Sequence, residues 1–491
     1  MKKYLIVIAL AVFTSACDDM EFLEPDPPSL LTEEAAFQNI NSLELFIASG
    51  YNRLINFSYY GQYMMIAPDA LADNLEIAQN TGRYNGEVVN EARSTFDIMN
   101  DPGNPGGNNH TVRSSYNAYR AINDANITLY GLDELGLRDE DTDLGDILEG
   151  EAKFLRALSY FDLMRVYSYE PGNEVNGWDR GVVLRTEAVL GASGADKRAR
   201  NTNVEVYAQI EQDLLDAASL LPDEGNTTGW PNIASNTAAR ALLARVYLYL
   251  GRYGDAATQA DQVLAATTAT LIDGTVGTNY EDSWTATNHP EAIFELAVSA
   301  IDWNTVDGIN NSLATVTRAS SAALPNSQGA VKASDEMLAA YEAGDVRANL
   351  WQQVATDYFE CTKWNGELGD FRENIPIIRY SEVLLIAAEA KARSNNEAGA
   401  RTDINRLRAN RGLPATTATG AALINLIMNE RRVELVLEGH RFFDFKRLGL
   451  PVPKAADHGV PNLAANDFRM LADINNDYLS INELIEQNPG Y

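Results

Sequence analysis

The stretch that decides the fold lies near the end of the chain and reads Asn429-Glu-Arg-Arg-Val-Glu-Leu-Val-Leu-Glu-Gly-His-Arg-Phe-Phe-Asp-Phe-Lys-Arg-Leu-Gly449. Apolar residues recur at three- and four-residue spacing, which predicts a helix over 423–438 whose buried stripe is Leu423, Leu426, Ile427, Val433 and Leu437. Gly439 follows, where a residue without Cβ most easily takes the left-handed conformation that ends a helix. Phe442, Phe443 and Phe445 then supply an apolar plug. The stretch therefore predicts a helix that stops, turns and restarts.

The same stretch is dense in ionisable residues of both signs, namely Glu430, Arg431, Arg432, Glu434, Glu438, His440, Arg441, Asp444, Lys446 and Arg447. This mixture suits an ion-pair network at a packed edge. Glu438 beside His440 is also the kind of pair that acts as a general base. Because no second histidine or nucleophile is nearby, and because ion-pair networks resemble active sites, we favour a structural role.

The first residues have the order of a secretory signal. Lys2 and Lys3 precede a short apolar run over 5–13, and small residues lead to Cys17. The run is too short to span a bilayer. A cysteine directly after small residues predicts a lipoprotein signal over 1–16, with Cys17 as the acylated N-terminus of the mature chain. The alternative is an ordinary secreted protein in which this cysteine is incidental.

The composition excludes several classes of protein. Of 491 residues, 45% are hydrophobic and 22% are charged, which is an ordinary globular composition. The 69 acidic residues outnumber the 38 lysines and arginines and give a net charge of −31. Such a field argues against nucleic acid and anionic membrane surfaces as partners. With only two cysteines, and Cys17 lipidated, Cys361 has no disulfide partner.

Helical periodicity covers much of the chain, in the segments 33–53, 112–129, 149–167, 206–222, 238–257, 377–391 and 396–412. Thr32 is the predicted cap of the first segment. The segments 238–257 and 377–412 each resemble a tetratricopeptide repeat, in which small residues let two antiparallel helices approach. Such pairs bury their apolar faces by stacking, so we predict a right-handed scaffold of helix pairs.

Between these two repeats, residues of about 265–375 lose the helical periodicity and become rich in Thr, Ser, Asn and Gly. A strand-like run lies over 292–298. An irregular insertion on a rigid scaffold is where binding residues usually lie. We therefore expect the ligand there.

Enzyme signatures are missing from the sequence. It has no Gly-rich phosphate loop, no His-Glu-x-x-His, no Cys-x-x-Cys and no Gly-x-Ser-x-Gly, and its four histidines lie far apart. No metal or cofactor is indicated. Paired carboxylates for glycoside cleavage stay open, because 69 acidic residues always allow some pair and nothing selects one. The pattern is typical of a binding protein.

Several motifs, in order, resemble the SusD/RagB family of Bacteroidetes outer-membrane lipoproteins. They are the cysteine at position 17, Ala-Lys-Phe-Leu-Arg-Ala157, Ala-Arg-Ala-Leu-Leu-Ala244, Ile-Pro-Ile-Ile-Arg-Tyr-Ser-Glu-Val-Leu-Leu-Ile386 and the 429–449 stretch. The resemblance implies a mainly α-helical fold, with a tetratricopeptide-like scaffold, an irregular loop-rich insertion and a few short strands. It implies one domain over 17–491, with an N-terminal part to about residue 230. The acidic residues Asp18, Asp19 and Glu21 also resemble the signal that exports such lipoproteins to the cell surface.

The function that the resemblance implies is capture of a glycan at the cell surface. The protein would act as a lid on a SusC-like TonB-dependent transporter, with its repeat helices facing the transporter and its ligand on the irregular half. In the positions where the family places its ligand contacts, Trp303 is the expected stacking platform, with Tyr84, Arg83, Asn80 and Asn304 as hydroxyl partners.

Alternatives remain at this point. Trp303 could instead pack in a loop or in the core, whereas Trp284 lies where the family has a packing aromatic. The segment 324–326 lacks the aromatic that some family members carry, which suggests a smaller site or a differently shaped ligand. The protein could also be a surface glycoside hydrolase, an interaction scaffold without a ligand of its own, or a RagB-like variant that takes up peptides.

Overall fold

The structure is a computed structural model that describes residues 37–78, 110–191, 197–299, 312–321, 327–366, 368 and 372–491. The lipidation residue Cys17 and the expected ligand residues Asn80, Arg83, Tyr84, Trp303 and Asn304 lie outside these ranges. The predicted signal over 1–16 and the 324–326 segment lie outside them as well.

The described residues are mainly helical, as predicted. Their α-helices are α1 Glu44–Leu54, α2 Tyr63–Ala70, α3 His110–Asp133, α4 Thr142–Tyr167, α5 Asn203–Leu220, α6 Asn236–Tyr249, α7 Tyr253–Ala266, α8 Asn279–Ser283, α9 Leu313–Thr317, α10 Asp335–Leu338, α11 Tyr380–Arg393, α12 Glu397–Ala409, α13 Gly420–Glu434, α14 Arg441–Arg447 and α15 Asn476–Ile481. None of these helices is long and apolar enough to cross a membrane.

The strands are short and form two-stranded antiparallel sheets. They are β1 Leu75–Ile77, β2 Ala292–Leu296, β3 Val331–Ala333, β4 Trp351–Ala355, β5 Tyr358–Cys361 and β6 Ile375–Arg379. In the described residues, β1 pairs with β3, β2 with β6 and β4 with β5. Strands β2 to β5 lie within the predicted insertion, which confirms that the helical pattern breaks there.

Successive helices pack on one another along the chain. Helix α4 packs against α3 and α5, α6 against α5 and α7, and α11 against α7, α12 and α13. A buried ion pair fixes the contact of α4 with α5, where Arg156 donates to Asp213 at 2.7 and 2.8 Å. A second buried pair joins α6 to α11, where Arg245 donates to Glu382. The main hydrophobic core draws residues from Ile40 to Ala472.

Several predicted helix boundaries are wrong. Residues 37–39 are not helical, and a 3₁₀ turn over Ile40–Leu43, capped by Asn39, precedes α1; the predicted cap Thr32 lies outside the described residues. Helix α4 begins at Thr142, two turns before the predicted residue 149, because the Asp141 side chain accepts the Leu144 N–H and caps it. Residues 377–379 are part of strand β6, and the helix begins only at Tyr380.

The 429–449 stretch stops, turns and restarts as predicted, but its helix does not reach the predicted residue 438, and Leu437 lies in the turn with φ 61°. Helix α13 ends at Glu434, the chain turns, and α14 begins at Arg441. Gly439 has φ 82°, and a Cβ there would lie 2.3 Å from the carbonyl oxygen of Met64, so only glycine fits. Phe442 and Phe443 are buried, whereas Phe445 and Leu426 are only half-buried. The stretch closes the scaffold onto α2.

Candidate functional site

Strands β1 and β3 and helix α9 form a small hydrogen-bonded frame. This frame holds the described residues that flank the two segments with predicted ligand residues, 79–109 and 300–311. After β1, the backbone N–H of Ala78 donates to the carbonyl of Ala330 at 3.0 Å. The N–H of Ala330 in turn donates to the carbonyl of Val316 in α9 at 2.7 Å. Ser312 caps α9 through the Thr315 N–H. Ala78, which precedes segment 79–109, and Ser312, which follows segment 300–311, therefore belong to one hydrogen-bonded frame.

Buried polar side chains tie this frame to the rest of the protein. Gln62 donates from Nε2 to the Ser312 carbonyl at 2.9 Å, and the Ala314 N–H donates to Glu373 at 3.0 Å. Asn374 accepts the N–H of Val298, two residues after the end of β2, at 2.9 Å. Because these contacts lie between residues far apart in sequence, both ends of the 300–311 stretch are held at fixed points.

The most concentrated charge in the described residues is a central ion-pair network formed by Arg347, Arg379, Arg411, Glu291, Glu434 and Glu438. All six side chains are buried. Glu434 accepts from Arg411 at 2.9 and 3.0 Å, from Arg379 at 3.1 Å and from Arg347 at 3.2 Å. Burial opposes ionisation of Glu434, but the Arg411 and Arg379 guanidiniums hold its pKa well below the usual range.

The network is built for structure rather than for proton transfer. Burial acts against the charge of Glu291 too, yet Arg411 and Arg379 lower its pKa to about 2. A carboxylate held ionised by two guanidiniums is a poor general base at neutral pH. The sequence separation of its members shows what the network does: it joins β2, β6, α12 and α13 in the core.

The Glu438–His440 pair does not form a general base. Glu438 accepts from Lys363 and from Arg379, whose Nε lies at 2.7 Å. The Nε2 of His440 instead lies 4.0 Å from Glu382. Burial and the nearby charge of Arg245 hold the pKa of His440 well below its usual value, so the ring stays neutral. The structural role favoured from the sequence fits this geometry.

Trp284 is a packing residue, as the sequence predicts. It is buried, and its ring lies against Lys363 at 4.7 Å and Arg379 at 5.2 Å. The Trp364 ring meets it edge-on with centroids 5.6 Å apart. Because the ring is buried and packed against these side chains, it offers no open face to a sugar.

Glu295 and Glu373 are among the buried carboxyl groups with the raised pKa that a glycosidase acid needs, but they have no room for a substrate. Burial raises the pKa of Glu295 to about 8 and that of Glu373 to about 8. Both line a cavity of only about 10 Å³ beside Trp284 and Trp364. That space is comparable to a single water molecule. These carboxyls therefore do not form a glycan-cleaving cleft.

A much larger cavity, which we call the α3 cavity, lies between α3, the segment 182–189 and the C-terminal segment 474–485. Its volume is about 590 Å³, within the range of small-molecule sites. The sequence did not single it out, because its wall combines residues from five separate parts of the chain. Its only sequence signal is the group of tyrosines Tyr116, Tyr119 and Tyr478.

No group of three or more His, Cys, Asp or Glu side chains suited to a metal ion occurs within the described ranges. Cys361 is buried, and burial raises the pKa of its thiol to about 11. The four histidines likewise form no cluster in sequence.

Comparison with known proteins gives the family. A SusD family model matches residues 361–491, and a SusD-like model described as "Starch-binding associating with outer membrane" matches residues 21–248. The chain belongs to the SusD family. The 429–449 stretch and the Phe-Leu-Arg-Ala helix fall within the two matched regions, so the resemblance read from these motifs is confirmed.

SusD-type relatives match the chain over its full length. SusD-like protein P2 of Formosa agariphila is 27% identical, and the match covers 100% of both chains. SusD-like protein P25 of the same organism is 23% identical, again over 100% of both.

Solved structures share the fold. A putative sugar binding protein of Bacteroides vulgatus superposes with a TM-score of 0.78 at 25% identity, over 92% of this chain and 99% of that one. A SusD superfamily protein of Bacteroides thetaiotaomicron gives a TM-score of 0.77 at 23% identity, over 92% of this chain and 100% of the other. The mainly helical fold class is therefore confirmed.

Proposed function

We propose that this SusD-family protein binds an oligosaccharide at the cell surface and delivers it to a SusC-like TonB-dependent transporter. The observation that carries the proposal is the match of residues 21–248 to a family described as starch-binding and outer-membrane associated. The similarity to a structure named as a putative sugar binding protein supports it. The peptide-binding alternative would use the same scaffold and would differ only in its ligand.

The proposed ligand site is on the irregular insertion. Trp303 would stack on a pyranose face, because flat aromatic rings suit the C–H faces of sugars. Tyr84, Arg83, Asn80 and Asn304 would pair with the hydroxyl groups. The frame around α9 supports this proposal, since it holds the chain on both sides of the 300–311 stretch and also just before residue 79.

The proposed anchor is a lipid on Cys17, and the mature chain from residue 17 would form one domain. Twenty residues separate Cys17 from Phe37, the first residue that the structure describes. At about 3.3–3.6 Å per residue, such a segment spans at most roughly 70 Å. That reach allows the folded body to cover a transporter in the same membrane while the lipid stays inserted.

We also propose that the protein is not an enzyme. The raised-pKa carboxyls Glu295 and Glu373 border a space too small for a sugar, and Arg411 and Arg379 keep Glu291 and Glu434 of the central ion-pair network ionised and covered. Purified protein would be incubated with a panel of polysaccharides and tested both for binding by affinity gel electrophoresis and for new reducing ends. Binding without new reducing ends supports the proposal, whereas new reducing ends would establish a glycosidase.

The transporter partnership needs its own experiment. The tagged, lipidated protein would be purified from detergent-solubilised outer membranes of its host, beside a Cys17→Ser variant. We expect a TonB-dependent transporter to copurify with the lipidated form. If no such transporter copurifies and no glycan of the panel binds, the protein would instead be an interaction scaffold for some other partner.

A further inference from the structure

The α3 cavity has a wall whose polar groups are already used by the fold. Asn123 donates to the Val189 carbonyl at 3.0 Å and accepts the Val189 N–H at 2.9 Å. Asn126 donates to the carbonyls of residues 185 and 187 and accepts from Arg156. The hydroxyl of Tyr119 donates to the carbonyl of Val183. The cavity interior therefore offers few hydrogen bonds to a ligand.

Much of the remaining wall is apolar, although Ser115, Tyr478 and Asn482 also line it. Ile122, Val182 and Val189 line one part, and Ile474, Ile481 and Ile485 line the C-terminal part. Ile481 is 69% exposed, and Tyr116, on α3, is 55% exposed. Large apolar side chains left open around a cavity gain free energy when an apolar body covers them, at roughly 25 cal/mol per Å².

Positive charge gathers at one edge of this cavity. Arg53 of α1 contacts Asp124 of α3, with Nε 3.4 Å from the carboxylate. Arg120 lies one helical turn before Asp124, and its guanidinium stacks over the Tyr116 ring at 5.2 Å. Arg200, at the other end, is occupied by backbone carbonyls such as that of Gly181. Two arginines therefore face a single carboxylate at this edge, in a chain whose net charge is −31.

We propose that the α3 cavity binds an amphiphilic carboxylate, with an acyl chain or similar hydrocarbon body inside and its carboxylate at Arg53 and Arg120. An apolar body suits the interior because it requires no hydrogen bonds, and the two guanidiniums complement the anionic end. A saccharide fits poorly, since each buried hydroxyl without a partner is destabilising. This site is separate from the proposed glycan site and does not depend on it.

Dodecanoate is the probe that tests the proposal, with binding to the purified full-length mature protein measured by isothermal titration calorimetry. We expect saturable binding at one site. Arg120→Gln should weaken it roughly tenfold, through loss of one charge-assisted contact. Dodecanol keeps the hydrocarbon chain without the charge, so it should bind the wild type more weakly than dodecanoate does. Its affinity for Arg120→Gln should equal its affinity for the wild type.

Filling the cavity provides the second arm of the experiment. Val189→Trp should abolish dodecanoate binding, because the indole occupies the interior while the backbone contacts to Asn123 remain. Ile485→Trp fills the cavity from the opposite wall and serves if the first variant fails to fold. Leu215→Trp, on an exposed position of α5, is the matched control and should bind as the wild type does.

Three results would overturn the proposal. The first is no saturable binding of dodecanoate to the wild type. The second is unchanged binding in a folded cavity-filling variant. The third is displacement of dodecanoate from the wild type by a neutral oligosaccharide whose own binding is lost in Val189→Trp, because this would make the cavity a second glycan site.

Discussion

Replacing Glu434 by glutamine is the sharpest test of what holds the SusD-type scaffold closed. Its carboxylate is fully buried and accepts four bonds from three arginines, Arg347, Arg379 and Arg411, at 2.9–3.2 Å. Glutamine keeps one acceptor but turns an NH₂ group toward guanidinium donors. Because a buried ion pair that loses one partner is destabilised by about 3–5 kcal/mol, we expect Glu434→Gln to lower the free energy of unfolding by that amount.

The assay is urea denaturation followed by circular dichroism, with Asp255→Asn as the matched control. Asp255 makes a comparable contact to Arg252 at 2.7 Å, but its side chain is 53% exposed. An exposed pair contributes about 0–1 kcal/mol, so the control should stay close to wild type. A Glu434→Gln protein as stable as this control would refute the structural reading of the network. A Glu434→Gln protein that loses glycan binding without losing stability would indicate a role for Glu434 in binding instead.

Two further predictions concern the same core. Burial raises the pKa of Glu295 from 4.5 in the unfolded chain to about 8, so native stability should fall as pH rises between these values. Glu295→Gln should reduce that fall by up to roughly 1.4 kcal/mol per pH unit. Parallel profiles of stability against pH for wild type and variant would contradict this prediction. Gly439→Ala places a Cβ 2.3 Å from the Met64 carbonyl oxygen and should destabilise the protein clearly more than Gly420→Ala. Gly420 also has a positive φ, but a Cβ there would meet open space. Equal unfolding midpoints of the two variants would show that the Met64 contact is unimportant.

Much of the fold follows from apolar spacing. The stripe in α13 and the glycine after it were readable because burial and left-handed geometry each restrict residue type. The missed start of α4 was readable in principle, since Asp141 is a standard N-cap before a polar first turn. Strand β6 was missed because a short apolar run fits helix or strand equally, and only pairing with β2 decides.

The candidate sites divide differently. Trp284 was recognised as a packing aromatic, but no spacing shows that Lys363 and Arg379 cover its ring. The α3 cavity escaped prediction because its wall needs α1, α3 and the C-terminal segment to meet in space. The network around Glu434 could be foreseen as a charge cluster, but not its partners Glu291 and Arg347, which lie far away in the chain. Sequence patterns report local periodicity, whereas these sites are formed by contacts between residues far apart in the sequence.

Glycan stacking on the insertion is tested by isothermal titration of the best glycan from the polysaccharide panel into wild type, Trp303→Phe and Trp303→Ala. We expect Trp303→Phe, which keeps a flat ring, to retain most of the affinity. Trp303→Ala should lose at least about tenfold, equivalent to roughly 1.4 kcal/mol of stacking. A folded Trp303→Ala protein that binds the glycan as tightly as wild type would contradict a stacking site on the insertion.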